Sequence, residues 1–166
     1  MFKIKQIYRS DKGFTLFEII IVLSVLTILS TIGIASFSSG SKAASVDAAL
    51  NDIVSTFHLA RSRAISQVKP QDSGICNGTL RGYRVDIDIN NRSYSLVLVC
   101  ENNINVVSTK ILPSNITFNN NTTQTSFFFP VLTGSVEGSG KVSISGYNKN
   151  KTIIVDTVGG ITIKNE

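Results

Sequence analysis

One apolar run near the start of the chain most strongly limits what this sequence can fold into. From Phe14 to Ala35 it has about 22 residues, which is long enough to span a bilayer. The only charged residue between Phe14 and Ser41 is Glu18. An ionised side chain at membrane depth costs roughly 2.5–3.5 kcal/mol on insertion scales. Glu18 is therefore either an acid tolerated in a signal anchor or a residue that pairs with a cation inside the bilayer.

A cut after Gly13 would supply such a cation, because it frees the α-amine of Phe14 on a neighbouring copy. The sequence Gly-Phe-Thr-Leu-Phe-Glu from Gly13 to Glu18, behind a basic leader, resembles the type III signal of type IV prepilins and type II secretion pseudopilins. The resemblance implies that a prepilin peptidase cuts between Gly13 and Phe14 and methylates the new N-terminal Phe14. It implies that Glu18 helps to align the incoming subunit in the filament. The implied partners are the peptidase, other pilin or pseudopilin subunits and the inner-membrane assembly platform.

The leader, residues 1–13, sets the expected topology. It contains four basic residues and one acid, which are Lys3, Lys5, Arg9, Lys12 and Asp11. A basic flank stays cytoplasmic, so the C-terminal part should lie outside the cytoplasm. Loss of the leader lowers the formal net charge from +5 to +2. The basic balance is therefore weak evidence for nucleic-acid binding. We expect a single-pass protein of the bacterial inner membrane that passes into a pilus or pseudopilus.

The apolar run also predicts the first half of one long helix, from about Phe14 to Gln67. In the second half, apolar residues recur at alternating steps of four and three, the pattern of an amphipathic helix: Val46, Leu50, Ile53, Phe57, Ala60 and Ala64. We divide the chain into a leader (1–13), a transmembrane or filament-core half of the helix (14–40), an amphipathic half (41–68) and a globular β domain (69–166).

The β domain is predicted from short alternating segments separated by turn formers. The expected strands are 82–89, 92–100, 106–112, 127–129, 141–145, 152–155 and 161–163, with 115–124 as an Asn- and Thr-rich surface loop. A two-residue turn at Asn90-Asn91 would place Ile89 opposite Arg92 and Arg81 opposite Cys100. The fold class is α+β and pilin-like. A long N-terminal helix, membrane-spanning in its first half and amphipathic in its second, packs on a mostly antiparallel β-sheet or sandwich.

Two cysteines, Cys76 and Cys100, lie beyond the apolar run, where the compartment can be oxidising. A disulfide is the favoured interpretation there, and two free buried thiols are the alternative. Structural zinc usually needs four ligands, and His58 is the only histidine. We expect no metal site and no cofactor.

Three patterns beyond the apolar run indicate a particular group among these pilin-like proteins. A helix ending in Leu-Ala-Arg-Ser-Arg-Ala-Ile (59–65), the pattern Phe-x-Pro-x-x-x-Gly (128–134) and the closing Ile-Ile-Val-Asp-x-x-Gly-Gly-Ile (153–161) are similar to the GspH/FimT group of minor pilins and pseudopilins. The resemblance implies a spine helix, a globular β domain and a place at or near the filament tip, where the group helps to start assembly.

A DNA-binding tip protein for DNA uptake is the alternative function. Some FimT-like proteins are associated with DNA binding through a C-terminal Gly-Arg-x-Arg. The matching stretch here, Gly159 to Thr162, has neither arginine. Phosphate contacts need only positive charge, so a lysine patch is the remaining route: Lys141, Lys149, Lys151 and Lys164. Nucleic acid is therefore not the expected partner.

An enzyme is not expected, because the sequence has no Cys–His pair at recognisable spacing, no phosphate-binding glycine loop and no metal cluster. Several residues receive ordinary structural interpretations. Arg61 and Arg63 are predicted as solvated helix charges, His58 as a surface residue, and Phe127 to Phe129 as strand core. Asp86 and Asp88 are predicted as solvent-facing residues of one strand, in preference to a calcium site.

Overall fold

The computed structural model describes residues 13–70 and 75–165, without the side chains of residues 31–36 and 165. The predicted leader up to residue 12, and residues 71–74 of the predicted loop after the helix, lie outside the described residues. The chain divides into two units, one ending at Gly40 and one from Ser41 onward. Each unit is described by itself.

Helix α1 runs from Leu16 to Ile65, as the periodicity predicted. Its end has a Schellman cap: the Val68 amide donates to the carbonyl of Arg63 at 3.0 Å, and the Gln67 amide donates to that of Ala64 at 3.2 Å. Gln67 takes the left-handed conformation, with φ of 49°, that this cap requires. The helix therefore ends by its own capping geometry, before the proline at position 70.

The second unit has one apolar core. The six stripe residues predicted from the sequence are all buried, and they line the inner side of the helix. The ring of Phe57 meets Phe127 edge to face, with centroids 5.0 Å apart. Among the residues whose side chains are described, every buried apolar residue lies between Val46 and Val155, so residues 41–166 contain a core of their own.

Two four-stranded antiparallel sheets complete the unit. Sheet 1 has the order β3-β2-β1-β5 and sheet 2 the order β4-β6-β7-β8. The strands are β1 (Leu80–Asp88), β2 (Ser93–Cys100), β3 (Ile104–Ile111), β4 (Ile116–Phe118), β5 (Ser126–Pro130), β6 (Gly140–Gly146), β7 (Lys149–Val155) and β8 (Ile161–Asn165). The predicted class, a long helix packed on antiparallel sheets, is confirmed.

The first hairpin keeps most of its predicted register but not its predicted turn. Asp88 pairs with Ser93, so the loop has four residues, 89–92, and not two. The pairing of the strands is unchanged because the predicted two-residue loop and the observed four-residue loop have the same centre. Near the other end of β1 a bulge places Leu80, and not Arg81, opposite Cys100, so that prediction is wrong.

The Asn- and Thr-rich stretch contains a strand that the prediction missed. Ile116 and Phe118 of β4 are buried and pair with β6. A three-residue strand carries too few alternations to be recognised by period, which explains the error. The predicted connection from Tyr147 to Asn150 is also shorter than expected. It is a two-residue turn in which Tyr147 and Asn148 both have positive φ, as a type I′ hairpin requires.

Candidate functional site

The segment from Gly13 to Thr15 leads into the helix without being part of it. Gly13 is exposed, and a Cβ added there would meet no heavy atom within 4 Å. The fold itself therefore does not require glycine at this position. A requirement for glycine would have to come from a protein that acts on the Gly13–Phe14 bond.

Thr15 and Glu18 together start the helix. The Thr15 hydroxyl accepts a hydrogen bond from the Glu18 amide at 3.3 Å, the geometry of an N-cap. Thr-x-x-Glu is also the sequence of a capping box, in which the glutamate side chain bonds back to the cap residue. That return bond is not formed, and no described residue pairs with the Glu18 carboxylate. The backbone of Glu18 is satisfied by its own chain, whereas its charge is not.

The residues around Glu18 are apolar and exposed on every side of the helix. Phe14 is 79% exposed and Phe17 is 71% exposed. Carbon atoms of Glu18 line a shallow apolar groove together with Phe14, Ile19, Val22 and Leu23. A helix that is apolar all round is stable where lipid or other helices cover it. This segment therefore presents one acid within a surface that needs a neighbour.

Among the residues whose structure and side chains are described, no helix is both long enough and apolar enough to cross a membrane. The side chains of residues 31–36, which lie at the end of the apolar run, are outside that description. The span from Phe14 to Ala35 stays a prediction from the sequence.

A disulfide joins Cys76 to Cys100, with the Cα atoms 5.6 Å apart. Cys100 is the last residue of β2 and Cys76 lies in the loop before β1, and both are buried. The predicted disulfide is confirmed, and the alternative of two free thiols is wrong. The bond ties the loop after the helix to sheet 1.

The prediction that Arg61 is a solvated helix charge is wrong. Its Nε donates to the carbonyl oxygen of Gly134 at 2.9 Å, and its Nη2 donates to that of Val158 at 3.4 Å. Arg61 thus joins two loops to the end of the helix. Arg63 is half-buried, with its guanidinium carbon 6.0 Å from the centroid of the Tyr83 ring.

The other residues singled out in the sequence lie at the surface, in the core or in an ion pair. His58 is exposed, as predicted, while Phe127 and Phe129 are core and Phe128 is half-buried on the opposite face of β5. Asp86 pairs with Arg84 at 2.8 Å, so it is more than a solvated face charge. Within the described residues no cluster of three metal-ligating side chains occurs.

The stretch from Gly159 to Thr162, which lacks the two arginines, makes a self-contained turn. The Gly160 amide donates to Asp156 Oδ1 at 2.6 Å, and the Asp156 amide donates to the carbonyl of Gly160 at 3.0 Å. The Gly159–Gly160 pair is therefore explained by the turn itself.

Sequence reasoning missed an ionic cluster on the second half of the helix. The Asp52 carboxylate accepts hydrogen bonds from Lys110, at 2.5 Å, and from the Tyr94 hydroxyl. The bond from Lys110 and then that from Tyr94 hold the pKa of Asp52 below its usual value. Burial, and then the bond to Asp52, raise the pKa of Tyr94. These partners are 42 and 58 residues away in sequence, so no local pattern could have revealed them.

Comparison with known proteins adds two findings. Residues 8–34 match the family model described as the prokaryotic N-terminal methylation motif, a range that includes Gly13, Phe14 and Glu18. No curated protein sequence matches the chain at a significant level. Among solved structures, the chain is similar to the minor pseudopilin EpsH from the Type 2 Secretion System of Vibrio cholerae. The TM-score is 0.51 and the identity 12%, over 69% of this chain and 92% of that chain. At that identity the likeness shows the fold alone.

Proposed function

We propose that this chain, which is type IV pilin-like by its methylation motif and its fold, is a minor pilin or pseudopilin of a pilus-like or secretion filament. The single observation that carries the proposal is the matched motif, which includes an acid in an exposed apolar helix that pairs with no described residue.

Processing is the first step. A prepilin peptidase hydrolyses the Gly13–Phe14 peptide bond, which leaves the leader with a carboxylate and Phe14 with a free α-amine. Methylation of that amine gives N-methylphenylalanine. The bond lies in the non-helical segment just before the N-cap at Thr15, and Gly13 is exposed. A protease needs an extended substrate backbone, and neither Gly13 nor Phe14 has a helical hydrogen bond to a described residue that would have to break.

Assembly is the second step. The Glu18 carboxylate of an incoming subunit pairs with the Phe14 amine of a neighbour in the apolar layer of the filament. Because a lone charge at membrane depth costs several kcal/mol, the pairing both stabilises the subunit and fixes its axial position. The exposed apolar side chains from Phe14 onward then pack against neighbouring helices or lipid.

The second unit lies outside the cytoplasm in this proposal. The basic leader favours that orientation, and a disulfide between Cys76 and Cys100 is typical of an oxidising compartment. The apolar run from Phe14 to Ala35 is the proposed single-pass anchor in the bacterial inner membrane before assembly.

The test is incorporation into filaments in a cell that has a prepilin peptidase and an assembly platform. Filaments are sheared from the cells, and their content of this chain is compared for the wild type and for Gly13→Val. The variant should accumulate in the membrane as an unprocessed chain and be absent from the filaments. The open space around Gly13 means that valine leaves the fold intact. Equal incorporation of both forms would contradict the proposal.

A further inference from the structure

The lysines that the structure describes fall into two groups. Four have an ammonium group engaged by a ring, a carbonyl or a carboxylate of the same chain: Lys42, Lys69, Lys110 and Lys151. Three have no hydrogen bond or ion pair from the ammonium group to any described residue, and all three are exposed: Lys141, Lys149 and Lys164. All three unpaired lysines belong to sheet 2, which also contains the paired Lys151 on β7.

Sheet 2 is also free of acidic residues. None of its four strands contains an aspartate or a glutamate. Lys141 lies on β6 next to the buried Val142, and therefore on the face turned away from the core. Lys164 is opposite Thr152 on β8, which places it on that same outer face, about 10–12 Å from Lys141 by strand spacing. Lys149 begins β7 beside the hairpin turn.

Hydroxyl and amide groups occupy the rest of this outer face. Thr117, Ser145 and Asn150 form a row across β4, β6 and β7. The row lines a shallow depression of about 410 Å³ together with Asn115, Asn148 and Lys149. The side-chain amides of Asn148 and Asn150 have no partner among the described residues. The depression thus offers unsatisfied donors and acceptors beside a cation.

The middle of this same outer face is buried, because Ser143 and Thr152 lie on it between Lys141 and Lys164. The hydroxyls of Ser143 and Thr152 hydrogen-bond to each other at 2.6 Å and are buried. The Ser143 amide donates to the Thr122 hydroxyl at 3.1 Å, so the loop before β5 is attached to the edge of β6 beside this pair. Protein groups that are carried by a hydrogen-bonded sheet lose little conformational entropy when a ligand binds to them.

We propose that the outer face of sheet 2 binds an anionic glycan. Side-chain amides and hydroxyls match the donors and acceptors of sugar hydroxyl groups. Unpaired lysines on strands that contain no acidic residue complement sugar-borne carboxylate or phosphate groups. Tyr147, in the turn between β6 and β7, has Lys42 over its ring and accepts a hydrogen bond from Asn115 at 2.9 Å. No free ring is thus offered for base stacking, which favours a glycan over a single-stranded nucleic acid.

The test uses residues 41–166, which contain a complete core. Binding is measured by isothermal titration or biolayer interferometry with oligogalacturonate, its neutral methyl ester, a phosphomannan and a DNA duplex of equal charge. We expect one of the two anionic glycans to bind and the neutral ester not to bind. Lys141→Gln/Lys164→Gln should weaken the binding about five- to tenfold, the size expected for two exposed ion pairs. Asn150→Ala should weaken it a few-fold, without weakening any binding of DNA.

The matched control is Lys69→Gln/Arg81→Gln, which removes the same charge from residues outside sheet 2. It should leave glycan affinity unchanged. No binding of either anionic glycan would overturn the proposal. So would equal losses in the control and in the sheet 2 variant. Tighter binding of the duplex than of both glycans, with no effect of Asn150→Ala, would mean that the face is a nucleic-acid surface and would also overturn it.

Discussion

At the scale of single residues, the backbone amide of Glu18 has a hydrogen-bond acceptor, whereas its carboxylate pairs with no described residue. The Thr15 hydroxyl accepts a hydrogen bond from its amide, and no described residue contacts its carboxylate. We predict that Glu18→Gln lowers incorporation into filaments about tenfold or more, because breaking a buried ion pair costs several kcal/mol. The measurement is the amount of the chain in sheared filaments relative to its amount in the membrane.

The control for Glu18 is Glu137→Gln, which removes an exposed carboxylate of the second unit. Its incorporation should equal that of the wild type. If Glu18→Gln entered filaments as well as Glu137→Gln did, the carboxylate at position 18 would have no pairing role.

Gly159 is the residue whose replacement should most disturb the second unit. Its φ is +78°, and an added Cβ would lie 2.1 Å from the carbonyl oxygen of Gly134. Arg61 bonds to that same oxygen. We predict that Gly159→Ala lowers the free energy of unfolding by about 2–4 kcal/mol, from strain and from separation of the two loops. Urea unfolding measures the loss. Gly40→Ala, where a Cβ meets nothing within 4 Å, should cause no loss.

At the scale of elements, we expect the stability contributed by the ion pair between Asp52 of the helix and Lys110 of β3 to depend on pH. The pKa of Asp52 is lowered in the folded state by Lys110 and then by Tyr94, from an ordinary value of 3.8. A lowered folded-state pKa adds stability above the unfolded pKa, and that stability is lost as pH falls through the folded pKa. We predict that the wild type exceeds Asp52→Asn in melting temperature above about pH 5, and that the difference shrinks steadily below pH 4.

Lys110→Met tests the cause of this dependence. Without the main hydrogen-bond donor, the pKa of Asp52 should return toward its ordinary value. The acid-dependent part of the stability should then shrink. An unchanged pH profile in Lys110→Met would show that the ion pair is not its source.

The disulfide links the loop after the helix to the end of β2. Its cysteines are 24 residues apart in sequence. We predict that the double replacement Cys76→Ser/Cys100→Ser lowers the free energy of unfolding by about 3 kcal/mol, because the unfolded chain gains loop entropy. Urea unfolding of residues 41–166 measures the change. A loss well under 1 kcal/mol would mean that the loop is held by its other contacts, such as the hydrogen bond from Asn103 to Ile75.

Sequence periodicity predicted the elements well where an element is long. The stripe from Val46 to Ala64 repeats often enough to define the buried side of the helix, and all of its members are buried. The β4 strand is too short to show a period, and the bulge near Arg81 changes register without changing composition. Contacts such as Asp47–Lys151 depend on tertiary structure, so no sequence pattern could predict them.

At the scale of the whole molecule, the chain combines a segment whose apolar side chains are exposed with a unit that has an apolar core of its own. The segment from Gly13 to Glu18 has a processing motif, an unpaired acid and exposed apolar side chains. The processing and pairing roles of this segment stay predictions, and they could be made from the sequence because they depend on consecutive residues. The sequence also named the lysines of sheet 2, but it could not show that Lys151 pairs with Asp47, because that contact depends on the fold.

The central claim is that Phe14 becomes the N-terminus of a filament subunit. The most direct test is the intact mass of the chain extracted from membranes after co-expression with a prepilin peptidase. The account predicts a loss equal to residues 1–13 and a gain of one methyl group. An uncut chain, or a cut at another bond, would contradict it and leave Glu18 without the amine that it is proposed to pair with.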